Sequence, residues 1–367
     1  MDGGGFKAHQ LESLKDLMAK GLYDINCGKA GDAFYGPVEE NMDLGAVPEK
    51  ISVRFGFIVK FADQRILPAS EGLFTKPNDL DFDELQNSGL DIGTPVAVLY
   101  KSRDNKWLYT QSSLSRGWVE ADKVAFCGLK EFEAFARDYK PVVVTSAKAD
   151  IFLDPGLKEY YGYIRMGTTL AFGGNTDPQV VEVVLPLRES SGAVSFRKGY
   201  MRKGPVREGY LPYTARNIIQ QAFELLNEPY GWGDMRGEQD CSRFIQQIFA
   251  TTGIQLPRNA IDQAKTGLLI GEFNGTVPGE EKVEALKTKA TGGLTLLYLR
   301  GHIMLFLGMS DGAPYAIHAT WAYRENIGGQ DTIRLVNRVA VTDLSLGKGT
   351  GKGSLLERLV TVRLISE

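Results

Sequence analysis

Apolar positions recur at helical intervals in three stretches of this chain, and over much of the rest they alternate or cluster in short runs. Phe244, Ile245, Ile248 and Phe249 share one helical face, with Gly253 as a stop signal and Pro257 just beyond. Leu11, Leu14, Leu17 and Met18 predict a short amphipathic helix over 11–21. The remainder up to about residue 50 is dotted with glycine and proline and reads as an arm packed on other parts of the molecule, with a disordered leader as the alternative. Thr214 reads as the N-cap of a helix carrying Ile218, Ile219, Ala222, Phe223 and Leu226. Between these helices the pattern is β. Val96, Val98 and Tyr100 alternate with Ala97 and Leu99, Asp104-Asn105-Lys106 makes a polar turn, and Trp107 to Thr110 and Arg116 to Val119 follow as short strands. Such runs read as a small barrel over 51–140. A second module of the same kind is expected over 141–212, from the runs 149–153, 166–171 and 180–187, with Gly209 to Pro212 in the place that Gly117-Trp118-Val119 takes in the first. The four predicted parts are an arm (1–50), two barrels (51–140 and 141–212) and an α+β domain (213–367).

The chemistry concentrates in the last part. Cys241 opens the predicted helix, after the loop Pro229-Tyr230-Gly231-Trp232-Gly233. A thiol in a first helical turn lies in the positive end of the peptide dipole, which favours thiolate and predicts a lowered pKa. A buried small hydrophobe is the competing reading for a free cysteine. His302 begins one short apolar strand and His318 lies within another, Tyr315 to Thr320, and the link from Gly308 to Pro314 is rich in turn formers. A hairpin turning there sets the two histidines face to face, with β-carbons about 5 Å apart. His318 then orients His302, and His302 takes the proton of Cys241, the arrangement that acyl transfer by a thiol requires. A pair of satisfied core histidines is the alternative. The backbone N–H of Cys241 is a natural oxyanion donor, and Tyr230 is a candidate for a second.

Composition narrows the field. The 367 residues carry 42 basic and 45 acidic side chains, a net charge of −3, with no basic stripe for nucleic acid. Cys27, Cys127 and Cys241 have neither a disulfide framework nor metal-pair spacing, and with His9, His302 and His318 the only histidines a zinc site is not expected. The chemistry needs no cofactor. No apolar run approaches the roughly 18 residues of a membrane span. The segment Asp2 to Phe6 has no basic start and no apolar stretch, which predicts either a cytoplasmic protein or one whose export signal was removed.

At this point the residues resemble a family. Pro229 to Gly233, then Asp240-Cys241-Ser242, then Gly253-Ile254-Gln255-Leu256-Pro257-Arg258 with Gln263, and the strand Gly301 to Gly308, resemble the NlpC/P60 cysteine peptidases over about 213–345. Asn105 to Tyr109 and Gly117 to Val119 resemble a bacterial SH3 domain. The resemblance implies a papain-like fold behind two SH3-like barrels. It also implies a Cys241–His302–His318 site that hydrolyses murein stem peptides between D-glutamate and the diamino acid, in the envelope or on recycled muropeptides. Asp240, Ser242, Tyr230, Trp232 and Tyr109 become candidate substrate contacts, with Asp240 meeting a free amino end or else capping the helix. Two departures stand out. Arg243 replaces the family's usual glycine and adds charge near the thiolate, at the pocket edge. Ala260 replaces a serine that in related enzymes helps bind the free amine, with Asn259 beside it as a polar substitute. A silent murein- or protein-binding scaffold and an amidase for another acyl substrate are the competing functions. Three further signals are discounted. Gly347 to Ser354 lacks the ending of a phosphate loop and reads as an exposed turn. Asn78 to Glu84 reads as a solvated acidic face. Trp107 and Trp118 read as barrel core.

Overall fold

A computed structural model describes residues 2–137 and 139–366. The fold is α+β, with three antiparallel sheets in chain order behind a helical arm. The arm is more helical than its sequence suggests. Its first helix runs Gly3–Lys20, because the Asp2 carboxylate accepts the Gly4 and Gly5 amides and so starts the helix within the glycine run. A second helix, Asp32–Met42, accommodates Pro37 in its interior. Phe6, Leu14, Leu17, Tyr35 and Met42 pack with Trp107, Tyr109 and Trp118 in one core, so the arm is fastened to the first barrel. Buried Gln10 accepts the Trp118 indole N–H at 2.8 Å.

The first sheet has seven strands between Arg54 and Cys127, and an SH3-like hairpin series at its centre: Pro95–Lys101, Trp107–Gln111 and Arg116–Glu120. The second sheet also has seven strands, between Pro141 and Glu208. It departs from the expected equivalence at its end. The last strand is Val206–Glu208, and 209–212 forms none. There Leu211 donates instead to the Thr251 carbonyl, carrying the chain out of the barrel and onto the next layer.

That layer is a six-stranded sheet packed on the helices Ala215–Glu224 and Cys241–Ala250, with Gly279–Lys289 packed through Leu286 against Leu297, Met304 and Phe306. The Thr214 hydroxyl caps Ala215–Glu224 by accepting the Asn217 amide. The helix Cys241–Ala250 is buried at all ten positions, with Phe244, Ile245, Ile248 and Phe249 set against Ile303, Leu305, Ile317 and Ala319 of the sheet. The histidine strand, His302–Ser310, pairs with the partner strand, Ala313–Ile327, across Asp311-Gly312. Both turn residues have positive φ (50° and 79°), as a two-residue turn matching strand twist requires. On its other side the histidine strand pairs with Thr295–Leu299, which in turn pairs with Leu359–Leu364.

Candidate active site

Asp240 sets the site's starting geometry. Its backbone is extended, and its side chain accepts the Arg243 amide at 2.8 Å, so the helix begins at Cys241 and points the first turn into the sheet. The sulfur lies against the backbone N–H of Ile303, the residue after His302. His302 Nε2 is 2.7 Å from His318 Nδ1, and His318 Nε2 is 3.1 Å from the Thr342 hydroxyl. The other ring nitrogen of His302, Nδ1, makes no hydrogen bond among the described residues. The sequence-derived hairpin is therefore present, but its register differs. Leu305 faces Ile317, and a bulge between Phe306 and Gly308 shifts the pairing. Continued along the strands, that register makes the histidines diagonal neighbours rather than directly opposed. Diagonal positions on one sheet face remain within reach of ring side chains.

Burial dominates the electrostatics of the trio. It pushes the Cys241 thiol up to about 12, with the nearby Asp240 charge adding to the effect and the Ile303 amide opposing it. This corrects the expectation of a dipole-lowered thiol. A helix dipole supplies about 0.3–1 kcal/mol, whereas full burial shifts a group by up to ~3–5 pKa units. Burial also lowers His302 to about 4, helped by the Arg358 charge. His318 is lowered by burial and by its neighbour His302. Burial thus favours a neutral thiol and neutral imidazoles at rest.

The trio lies in a cleft of about 740 Å³. Tyr230, Trp232, Asp240, Ser242, Asn259 and Ala260 line it beside Cys241, while the first barrel contributes Phe82, Glu84 and Gln86. Tyr230 keeps its phenolic proton, held chiefly by burial and also by the Asp240 charge. Trp232 and Trp321 both meet Phe82 edge-on, at 5.4 and 5.0 Å, and Asp81 accepts the Trp321 indole N–H at 2.8 Å. Of the acidic segment 78–84, Phe82 and Glu84 line the cleft, while Asn78, Leu80 and Asp81 are exposed as a solvated face would be. Gly347, Thr350, Lys352 and Gly353 of the glycine-rich loop 347–353 line the cleft too. Phe82 and Trp321 went unrecognised in the sequence. The one available signal was an isolated aromatic inside a polar run.

Two substrate candidates have other employment. Tyr109 is 2 % exposed in the core of the first barrel, edge-on to Phe6 and Trp118, and does not line the cleft. Its place in the middle of a barrel strand turns it inward. Asp240 does line the cleft, yet both its oxygens are engaged: Oδ1 by Arg243 N, Ser242 Oγ and Arg258, Oδ2 by Gly233 N and Arg258 at 2.8 Å. The Ser242 hydroxyl is held between Asp240 and Arg258.

Arg243 does not reach the pocket edge. It turns away from the thiol, and its guanidinium meets Asp91 of the first barrel at 3.0 Å and Gln246 at 2.5 Å. Arg165 of the second barrel bonds the same Asp91 at 2.8 Å. Asp234 lies 3.7 Å from Arg165, 3.6 Å from Arg243 and 3.2 Å from Arg258. Three buried arginines and three aspartates thus join both barrels to the loop before the thiol.

Two segments of the chain match known families. Residues 227–328 match the NlpC/P60 family, and residues 72–120 match the SH3 domain of SH3b1 type. The chain carries an NlpC/P60 domain behind an SH3 domain. An NlpC/P60 endopeptidase from Photobacterium damselae subsp. piscicida superposes with a TM-score of 0.80 at 21% identity, covering 98% of this chain and 84% of that one. An NlpC/P60 family protein from Bacillus cereus ATCC 10987 gives a TM-score of 0.60 at 17% identity, over 84% and 98% of the two chains. Both likenesses are of fold. In sequence, a γ-D-glutamyl-L-lysine dipeptidyl-peptidase of Bacillus subtilis (strain 168) is 47% identical over 55 residues. That match spans 15% of this chain and about a fifth (19%) of the relative's length.

Proposed function

We propose that this protein is a thiol peptidase of murein stem peptides that cuts between the γ-carboxyl of D-glutamate and the amino group of the following diamino acid. The observation that carries the reading is the placement of the Cys241 sulfur under the Ile303 amide, one residue on from His302, whose ring is itself bonded to His318. His302 Nδ1 takes the thiol proton as sulfur attacks the amide carbon, and gives it to the leaving amine when the tetrahedral intermediate collapses. His318 holds the ring through Nε2, and Thr342 holds His318. The oxyanion is met by the Cys241 amide and the Tyr230 hydroxyl. Water then releases the acyl group from sulfur. The neutral resting pair favours transfer in step with attack over a preformed ion pair. No metal is needed for any of these steps.

In this reading 213–367 is the peptidase, 51–140 and 141–212 are the barrels, and 1–50 is the arm. The first barrel closes the acyl end of the cleft, so a short peptide with a free N-terminal L-alanine fits better than intact wall. Glu84 and Asp240 are the carboxylates that line the cleft, and an ammonium there competes with Lys20 for the first and Arg258 for the second. Such a substrate places the enzyme's work in the cell envelope or on recycled muropeptides. No helix among the described residues is long and apolar enough to cross a membrane.

The test is digestion of L-Ala-γ-D-Glu-diaminopimelate and its N-acetylated form, read by mass spectrometry, with wild type and Cys241→Ala. Cleavage of the free peptide by wild type, lost in the variant while peptide binding persists, is the expected result. Equal cutting of the blocked peptide would remove the free-amine specificity. Binding without cleavage in both proteins would favour the silent scaffold.

A further inference from the structure

The segment 344–358 between the last two strands, which includes the glycine-rich turn Gly347 to Ser354, forms part of the cleft wall. It brings two cations there. Arg358 is half-buried, lines the cleft, and is near enough to His302 for its charge to bear on that ring. Lys352 lines the same cleft. The other cleft cations are spoken for: Lys20 by Glu84, Arg258 by Asp234 and Asp240, Arg324 by Asp331 at 4.0 Å. Neither Arg358 nor Lys352 has an ion pair or a side-chain hydrogen bond among the described residues. The adjacent Glu357 makes no ion pair with Arg358; its carboxylate accepts the Ser354 amide at 2.6 Å. A guanidinium partly withdrawn from water with no anion is a site waiting for one. Planar carboxylates are its best-matched partners.

Position decides which part of a substrate it meets. Arg358 directly precedes the strand Leu359–Leu364, which lies beyond Thr295–Leu299 on one side of the histidine strand. The first barrel closes on the other side, where Trp321 of the partner strand meets Asp81 and Phe82. A peptide crossing Cys241 with its acyl end at the barrel therefore carries its leaving amine past His302 towards Arg358. We propose that Arg358, supported by Lys352, receives a side-chain carboxylate on the leaving residue, and so selects a diaminopimelate leaving group over lysine. The inference rests on the peptidase reading above and deepens it. The two residues differ where this wall would act. Diaminopimelate ends in a carboxylate beside an ammonium, whereas lysine ends in an ammonium alone, which two unpaired cations repel.

The experiment compares L-Ala-γ-D-Glu-meso-diaminopimelate with L-Ala-γ-D-Glu-L-Lys. Both carry an amide at the C-terminus, so that the side chain is the difference in carboxylates. Wild type is expected to favour the diaminopimelate peptide in kcat/KM by roughly tenfold or more, the scale of one charge-assisted contact. Arg358→Gln should erase most of that preference by slowing the diaminopimelate peptide while leaving the lysine peptide as fast or faster, and Arg358→Lys should keep part of it. A melting curve run beside the kinetics identifies a variant that has lost its fold, in which case the lysine variant carries the comparison. Equal rates in wild type, faster cutting of the lysine peptide, or an Arg358→Gln variant that slows both peptides alike would each overturn the assignment while leaving the peptidase reading intact. A wild-type protein that cuts neither peptide would end both.

Discussion

At the residue scale, Cys241 shows how position and environment can pull a group in opposite directions. Its helix terminus was visible in the sequence, from the spacing of Phe244 to Phe249 and the acidic residue before it. The depth of its burial was not, because that depends on the strands bearing Ile303 and Ile317, more than fifty residues away. Burial prevails over the dipole and leaves the thiol protonated at neutral pH. Alkylation of Cys241 by iodoacetamide in the free enzyme should therefore be slow at pH 7. It should rise about tenfold per pH unit up to pH 9, because only the thiolate reacts. Mass spectrometry of the Cys241 peptide against Cys27 and Cys127 in the same digest provides the comparison. Fast modification with a plateau below pH 7 would mean that a thiolate–imidazolium pair already exists at rest.

At the element scale, the Asp240 side chain does two jobs that a sequence shows only one at a time. As an N-cap it could be anticipated from its place before an apolar helix. As the partner of Arg258 it could not, since the pairing spans 18 residues and depends on how the Leu256–Arg258 turn folds back. Removing the carboxylate loses the cap and leaves part of a buried guanidinium uncompensated, although Asp234 still faces it. Asp240→Ala should lower unfolding free energy by about 3 kcal/mol, and Asp240→Asn by less, because an amide oxygen still caps. Urea denaturation of the two variants measures the difference. An alanine variant as stable as wild type would mean that the Asp240–Arg258 pair carries no net stability. The histidine hairpin was legible for a simpler reason: Asp311-Gly312 sits between two apolar runs. Its register was not, because the bulge at Phe306–Gly308 adds a residue to one strand without any mark in the hydrophobic pattern.

At the scale of the whole molecule, the order of arm, barrels and α+β layer followed from turn signals and short strands, whereas their docking did not. Asp91, Arg165 and Arg243 belong to three different sheets or layers and meet across 74 and 152 residues of sequence. No local pattern records such a contact; the one trace was an arginine standing where relatives carry glycine. The network and the histidine pair together predict how stability responds to acid. Burial works against ionisation of Asp91 and Asp234, but Arg165, Arg243 and Arg258 outweigh it and hold both carboxyls below the usual 3.8. Burial holds His302 near 4, against an ordinary 6.5, and lowers His318 as well. All four groups therefore bind protons more readily in the unfolded chain than in the folded one. Where the unfolded state binds more protons, stability falls as pH falls. The histidine contribution is complete above pH 6.5 and is lost on the way down to about 4, and the aspartate contribution is lost only below 3.8. The melting temperature should thus decline in two stages, the first between pH 6.5 and 4. His318→Asn should flatten that first stage, since it removes one of the two buried rings, and Asp91→Asn should leave its slope in place while lowering the whole curve. A wild-type melting temperature that stays level from pH 7 to 4.5 would show that the two imidazoles take up protons inside the folded cleft at no cost, and the neutral resting pair assigned to Cys241 and His302 would fall with it.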